Sequence, residues 1–387
     1  MARSYGAIRP ASFLAAGALT LALAAAACSN SGSSGSSGSS PTSPGHGATG
    51  AHAQGTQASG GGQAQGQAQP QAQGQASAAT LQRAYVRVVR GVLPSVVEIK
   101  TSSGLGSGVI FDNAGHIVTN AHVVGTSKTF TVVLSGSSTP LRATLVDSYP
   151  PDDLAVIKLT GSHHHLVPAK FADSSNLQVG DVVLAMGNPL GFASSVTDGI
   201  VSATGRVVSE PQGGGSPGAT LPDAIQTSAP INPGNSGGAL VNLSEQVVGI
   251  PTLAASDPQL GGAAAGIGFA IPSNIVTNIA GQIIKSGRVT NSHRAALGVR
   301  VRTVTGASGQ PVGAGIVSVL AGSGAADAGL RAGEVITAVG RSATPDTETL
   351  AAVLVQLRPG QRVPVTVLKH NGSKATVQVT LGQLPGT

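Results

Sequence analysis

A serine lies in a glycine-rich run that is suited to nucleophilic chemistry. Ser236 follows Gly234 and Asn235 and precedes Gly237 and Gly238, and glycine permits tight turns in which neighbouring amide hydrogens point the same way. The amides of Gly234 and Ser236 are the candidate donors of an oxyanion hole, which acyl transfer requires. A mobile glycine-rich loop has the same composition, so the run indicates a nucleophile only when a base and an orienting carboxylate accompany it.

A candidate base and a candidate orienting carboxylate lie upstream, at the ends of predicted strands. Residues 119–124 put His122 at the end of an apolar strand, and residues 152–157 put an Asp at the start of another. Strand ends give the rigid mounting that a hydrogen-bonded triad needs. Asp153, Asp152 and Asp147 are the competing carboxylates. The pattern predicts a triad of Ser236, His122 and one of these carboxylates.

The elements that must position these residues are short strands. Aromatic residues make up 2% of the chain and Trp is absent, so packing depends on Val, Ile, Leu and Ala, which favours strands. Strand-like runs recur between Gly, Pro, Asn and Asp, as in an antiparallel barrel or sandwich; they cover residues 95–100, 108–111, 116–119, 130–134, 155–159, 182–185 and 246–250. Isoleucines at helical spacing predict a helix over residues 273–286, with Gly287 as its stop.

Seven segments, in order, resemble the blocks of the HtrA (Deg-type) serine proteases, and the order His, Asp, Ser is that of chymotrypsin-like proteases. The segments are residues 106–110, 119–124, 153–156, 186–189, 199–202, 232–238 and 266–272. The resemblance implies a mostly β protein with two packed β-barrels over residues 81–286, and Asp153 as the triad carboxylate because it precedes Leu-Ala-Val. It also implies a homotrimer and no cofactor.

The primary specificity pocket departs from the family pattern. In chymotrypsin-like folds the residue six places before the nucleophile lies at the pocket base, and here it is Pro230. No carboxylate is present to bind Lys or Arg. With Gly268, Phe269 and Ala270 as walls, the pocket is predicted to accept small or medium apolar side chains.

The C-terminal segment, residues 296–384, resembles a PDZ domain, a small α+β fold, joined by a linker of residues 287–295. Leu297, Gly298 and Val299 resemble its carboxylate-binding loop, whose amides hold a peptide C-terminus while the peptide adds a strand to the sheet. Strands are predicted near residues 297–301, 315–319, 335–339, 363–368 and 376–381, with a helix over residues 347–357. The alternative is a domain that keeps the fold for packing and binds nothing tightly.

The N-terminal segment resembles an export signal. Arg3 and Arg9 precede an apolar stretch that ends in small residues and Cys28, the only cysteine, as in a bacterial lipoprotein signal. Lipidation of Cys28 is predicted; the alternatives are an ordinary signal peptide or an uncleaved signal anchor. Residues 29–80, rich in Gly, Ser, Gln and Ala, are predicted to be a disordered tether. The expected location is the extracytoplasmic face of the cell membrane, or else the medium.

Charge and composition exclude several other functions. The net charge of +6 accompanies only 10% charged residues, and no basic stripe interleaves with aromatics, so nucleic-acid binding is not expected. The adjacent His163, His164 and His165 do not converge as metal ligands. Two functions remain: an endopeptidase acting on misfolded proteins or exposed termini, or a tethered chaperone whose protease fold captures more than it cleaves.

Overall fold

The computed structural model describes residues 68–102, 104–162, 165–188, 195–210, 218–232, 234–257 and 262–385. The predicted signal segment with Cys28, residues 29–67 of the predicted tether, and His163 and His164 lie outside the described residues. No helix in the described part of the chain is both long and apolar enough to cross a bilayer.

Helix α1 (Ala68–Val92) leads into the folded domains. Residues 68–80 are therefore helical, and the prediction of a disordered tether is wrong for them. Ala and Gln favour helix, and the far end of the helix is stabilised by burial of Val88 and Val92 in the core.

The first barrel is a closed sheet of six antiparallel strands in the order β1-β2-β3-β6-β5-β4. Its interior contains aliphatic side chains such as Val97, Ile117 and Ile157, and a short helix, α2 (Ala121–Val124), follows the third strand. The strands are β1 (Val96–Lys100), β2 (Leu105–Ile110), β3 (His116–Thr119), β4 (Thr129–Leu134), β5 (Pro140–Tyr149) and β6 (Leu154–Thr160).

The second barrel repeats this architecture in the order β10-β11-β12-β9-β8-β7. Helix α3 (Ser273–Ser286) follows it and ends at Gly287, as predicted. The strands are β7 (Val182–Gly187), β8 (Ser195–Glu210), β9 (Ala219–Thr227), β10 (Ala239–Asn242), β11 (Val247–Asp257) and β12 (Gly262–Pro272).

A shared core joins the two barrels. It contains Val118 and Leu154 from the first barrel, Met186 and Ile250 from the second, and Ile279 from α3. Burying each such side chain contributes about 1.5–3 kcal/mol. The predicted double barrel is confirmed, and its interface fixes the strand ends that carry the candidate triad.

The C-terminal domain has its own core and a sheet in the order β14-β15-β16-β18-β19. Helix α5 (Thr347–Val355) ends two residues before the predicted stop at residue 357. The other elements are β13 (Ala295–Ala296), β14 (Val299–Thr305), β15 (Pro311–Val319), α4 (Gly324–Asp327), β16 (Val335–Val339), β17 (Ser342–Ala343), β18 (Arg362–Leu368), β19 (Lys374–Thr380) and β20 (Gly382–Gln383).

Candidate active site

His122 and Asp153 lie side by side because their strands are neighbours. His122 is in α2, directly after β3, and Asp153 immediately precedes β6, which pairs with β3. Nδ1 of His122 lies 2.8 Å from Oδ2 of Asp153, and the backbone amide of His122 donates to Oδ1 at 2.9 Å. One carboxylate thus holds both the ring and the main chain of the histidine.

This contact sets the tautomer of His122. An ionised carboxylate only accepts hydrogen bonds, so the ring nitrogen facing Asp153 carries the proton. Nε2 is then the basic nitrogen, which is the arrangement that a general base requires.

Asp153 is buried, at 1% exposure, and further contacts hold it. Its carbonyl oxygen accepts from Nδ2 of Asn120 at 3.0 Å and from the amide of Ala121 at 3.1 Å. The hydroxyl of Thr252 donates to Oδ2 of Asp153. Sequence reasoning missed Thr252, since it lies in β11 and outside every block that marks the site.

The competing carboxylates have other positions. Asp152, also buried, pairs with Arg294, whose Nη1 lies 2.6 Å from Oδ1. Asp147 lies within β5. Of the three carboxylates, Asp153 is the one that contacts Nδ1 of His122.

The loop that carries Ser236 rests on Ser107 of β2. The amide of Ser107 donates to the carbonyl oxygen of Ser236 at 3.0 Å. Its hydroxyl donates to the carbonyl oxygen of Gly234 at 2.5 Å and accepts from the amide of Asn188 at 2.8 Å. The first barrel, which carries His122, therefore also holds the loop of the candidate nucleophile.

Gly237 allows this close approach. Its φ is +78°, and a Cβ there would lie 2.3 Å from the carbonyl oxygen of Ser107 and 2.4 Å from Oγ1 of Thr119. Any side chain would push the Ser236 loop away from the first barrel.

The two backbone amides that are candidate oxyanion donors make no hydrogen bond to another residue in the described part of the chain. Gly234 has a φ of +113°, and neither its amide nor that of Ser236 donates to another described residue. The hydroxyl of Ser236 donates to the carbonyl oxygen of Thr252 at 3.3 Å. The two amides therefore satisfy one requirement of an oxyanion hole, which is to be unpaired before substrate binds.

Gly268 and Ile231 pack together beside this loop. A Cβ on Gly268 would lie 2.3 Å from Cγ1 of Ile231, so the missing side chain leaves the space that Ile231 occupies. Ile231 and Ala229 are buried with Ala270 in the second barrel. Sequence reasoning did not identify Ile231, although it lies five residues before Ser236.

The predicted pocket walls, Gly268, Phe269 and Ala270, are consecutive residues of β12. Successive side chains of a strand point to opposite faces; accordingly, Ala270 is in the barrel interior, whereas Phe269 packs against the core between the barrels. Pro230 is exposed, and its carbonyl oxygen accepts from Oγ1 of Thr197 at 2.8 Å and from Nδ2 of Asn235 at 3.1 Å.

The predicted carboxylate loop lines a cavity of about 470 Å³. Leu297 is buried in the C-terminal domain, whereas Gly298 and Val299 lead into β14. Leu350 and Leu354 of α5 line the same cavity, as do five residues from the barrel side and the linker: Pro151, Gly218, Ala219, Thr220 and Arg294.

Two family models match the sequence: a trypsin-like peptidase domain over residues 106–250 and a PDZ domain over residues 295–381. The serine protease PepD of Mycobacterium tuberculosis is 39% identical over 315 residues, which are 77% of this chain and 66% of PepD. The serine protease Do-like HtrA of Lactococcus lactis subsp. cremoris is 41% identical over 298 residues, 73% of this chain and 71% of that protein. A probable periplasmic DegP-like endoprotease of Brucella suis is 38% identical over 72% of this chain and 53% of its own length.

Solved structures agree with these matches. The HtrA-type protease AlgW with a decapeptide is 32% identical, with a TM-score of 0.52 over 78% of this chain and 99% of AlgW. The serine endoprotease from Yersinia pestis is 33% identical, with a TM-score of 0.51 over 78% of this chain and 98% of that one. The chain spans about half to seven-tenths of the length of the curated relatives named above. It belongs to the HtrA family of serine proteases, with a trypsin-like peptidase domain followed by a PDZ domain.

Proposed function

We propose that this chain is an extracytoplasmic endopeptidase with Ser236 as nucleophile, His122 as general base and Asp153 as the orienting carboxylate. The 2.8 Å contact between Nδ1 of His122 and Oδ2 of Asp153 carries this proposal. A buried carboxylate facing Nδ1 directs the basic Nε2 away from itself, as a histidine that deprotonates a serine requires.

The reaction follows acyl-transfer chemistry. The hydroxyl of Ser236 leaves the carbonyl oxygen of Thr252, gives its proton to Nε2 of His122, and Oγ attacks the peptide carbonyl carbon. The amides of Gly234 and Ser236 stabilise the tetrahedral oxyanion. Asp153 stabilises the imidazolium, which then protonates the leaving amine, and a water molecule hydrolyses the acyl-enzyme by the same route.

The residues beside the nucleophile favour small or medium apolar side chains at the cleaved bond. Ile231, Ala229 and Gly268 are apolar and closely packed, and no carboxylate is among them. Such a site binds Val or Ala well and gives Lys or Arg no partner for its charge.

The PDZ domain is proposed to bind peptide C-termini for recruitment or regulation. Its 470 Å³ cavity has Leu297, Gly298 and Val299 at one end and Leu350 and Leu354 along α5. An added strand beside β14 would place a terminal carboxylate at the loop amides and an apolar side chain against the leucines. Misfolded proteins and proteins with exposed termini are the proposed substrates, because the cleft needs extended backbone and the PDZ domain needs a free C-terminus.

Anchoring and assembly complete the proposal. A lipid on Cys28, followed by residues 29–67 as tether, would hold the protease at the extracytoplasmic membrane face. An uncleaved signal anchor is the alternative attachment. In cell fractionation, Cys28→Ala is expected to move the protein from the membrane to the soluble fraction, and an unchanged distribution would contradict the lipid anchor.

The proposed assembly is a homotrimer. Light scattering is expected to give three times the chain mass, and a monomer mass would contradict the homotrimer.

Cleavage of unfolded casein tests the enzymatic proposal. Wild-type protein is expected to cleave after apolar residues, and Ser236→Ala is expected to have no activity. Ser318→Ala is the control, because this serine is exposed in β15 of the PDZ domain. Cleavage by Ser236→Ala would contradict the assignment of the nucleophile. No cleavage by any form, together with suppressed aggregation of casein, would favour the chaperone instead.

A further inference from the structure

A buried arginine in the linker reaches the turn before the candidate catalytic aspartate. Nη1 of Arg294 donates to Oδ1 of Asp152 at 2.6 Å and to the carbonyl oxygen of Pro151 at 2.5 Å. The side chains of Arg294 and Asp152 are 11% and 3% exposed. Burial raises the pKa of Asp152, and the charge and hydrogen bond of Arg294 oppose this shift. Either charge left alone in this buried place would be costly.

The turn that Arg294 contacts determines where Asp153 lies. Residues Pro150–Asp152 form a single 3-10 turn, closed by a 2.9 Å hydrogen bond from the amide of Asp153 to the carbonyl oxygen of Pro150. Asp153 has a φ of +49°, a left-handed conformation that is uncommon for residues with a side chain, although Asp adopts it more readily than most. The arginine contacts the two residues directly before this position.

The backbone of Arg294 is itself attached to the end of the PDZ domain. Its carbonyl oxygen accepts from the amide of Leu384 at 2.7 Å, and the hydroxyl of Ser292 donates to the carbonyl oxygen of Leu384 at 2.8 Å. The next residue, Ala295, pairs with Gln383 in the β13–β20 ladder. A continuous set of short contacts therefore runs from the last strand of the PDZ domain to the residue before Asp153.

We propose that Arg294 is a positioning residue that holds Asp153, and through it His122, in the catalytic arrangement, so that the linker and PDZ domain support the chemical step directly. This inference rests on the triad under "Proposed function". It assigns the PDZ domain a role separate from substrate recruitment. A PDZ domain that only recruits substrates would not change the cleavage rate of a short peptide, because such a peptide binds in the protease cleft and does not reach the PDZ domain.

Steady-state kinetics on a short peptide test the inference in the full chain. For Arg294→Gln, kcat is expected to fall by about 10- to 100-fold, since small displacements of catalytic groups have effects of this size. KM is expected to stay within about twofold, because the substrate pocket is untouched. Arg294→Lys, which keeps the charge and one nitrogen that can donate to both oxygens as Nη1 does, is expected to restore most of kcat. The control is Arg341→Gln, at an exposed arginine outside β14 and α5.

The labelling rate of Ser236 by a fluorophosphonate is a second readout. It reports the reactivity of the nucleophile without any peptide, so it is expected to fall in parallel with kcat in Arg294→Gln and to recover in Arg294→Lys. If Arg294 only stabilised the fold, Arg294→Gln would lower the melting temperature and the fraction of protein that becomes labelled. The labelling rate of Ser236 in the molecules that remain folded would then be unchanged.

Asp152→Asn is a second test if Arg294→Gln does not fold, because the asparagine amide keeps the shape of the carboxylate and one oxygen acceptor. It is expected to lower kcat severalfold at an unchanged KM, and the Arg294→Gln change is expected to add little to it, because the two residues act as a pair and neither charge is then left alone. If the folded variants keep the kcat and the labelling rate of the wild type, the role of Arg294 is overturned, but the proposed function is not. Inactive wild-type protein, or active Ser236→Ala, would instead overturn the proposed function.

Discussion

The hydroxyl of Ser107 donates to the carbonyl oxygen of Gly234 at 2.5 Å, across the boundary between the two barrels. Ser107 is fully buried and also binds Asn188 and the carbonyl oxygen of Ser236. It thus joins the barrel that carries His122 to the loop that carries the nucleophile. The relative position of base and nucleophile depends on this serine as well as on packing.

Ser107→Ala is expected to lower kcat by about 10- to 100-fold, because the loop with the candidate oxyanion donors loses its fixed contact. The free energy of unfolding is expected to fall by about 1–3 kcal/mol, since the amide of Asn188 and the carbonyl oxygen of Gly234 lose a partner. Peptide kinetics and denaturant unfolding measure the two effects, with Ser318→Ala as the exposed-serine control. A full loss of stability with unchanged kcat would show that Ser107 does not position the loop.

The residues that could be predicted from sequence are those whose chemistry is local. His122 follows an apolar strand, Ser236 lies among glycines, and an Asp precedes another apolar strand. The choice of Asp153 over Asp152 and Asp147 comes from the family resemblance. Thr252 and Arg294 could not be found this way. Thr252 meets Asp153 across 99 residues and Arg294 meets Asp152 across 142, and only the packed barrels and linker bring these pairs together.

Composition explains one error in the predicted elements. The prediction for residues 68–80 considered hydrophobicity, but their Ala and Gln favour a helix whose other end is anchored by Val88 and Val92. The predicted pocket walls at residues 268–270 stay a prediction, and strand geometry turns the side chain of Phe269 away from those of its neighbours.

Thr252→Val is expected to lower kcat by roughly tenfold, because the carboxylate of Asp153 loses a charge-assisted hydrogen bond that contributes to its orientation. Thr252→Ser keeps the hydroxyl and is expected to stay within about twofold of wild type. Kinetics on a short peptide substrate provide the comparison. Equal activity of the Val and Ser variants would mean that this hydroxyl does not hold Asp153 in its catalytic position.

Ile231→Ala is expected to enlarge the pocket beside Gly268 and shift the preferred side chain from Val or Ala towards Leu or Phe. The ratio of kcat/KM between large and small side chains is expected to change by at least about 10- to 200-fold, the range for one methylene group in an apolar pocket. Ile231→Val, which removes one methylene, should give a smaller change in the same direction. A peptide library measures the ratio, and an unaltered preference in both variants would place the pocket elsewhere.

Tyr149 is expected to make stability depend on pH in the alkaline range. The side chain is fully buried, and burial, followed by the charge of Asp152, raises the pKa of Tyr149 to about 12 from 10.0. The unfolded chain then loses this proton at lower pH than the folded protein does, so the stabilisation is complete below about pH 10 and is lost as pH rises towards 12. Over that window the free energy of unfolding should fall by about 2–3 kcal/mol on account of this group. Tyr149→Phe has no proton to lose, so urea unfolding at pH 9 and pH 11.5 is expected to show a smaller decrease than in wild type, whereas equal decreases would mean that the phenol titrates normally.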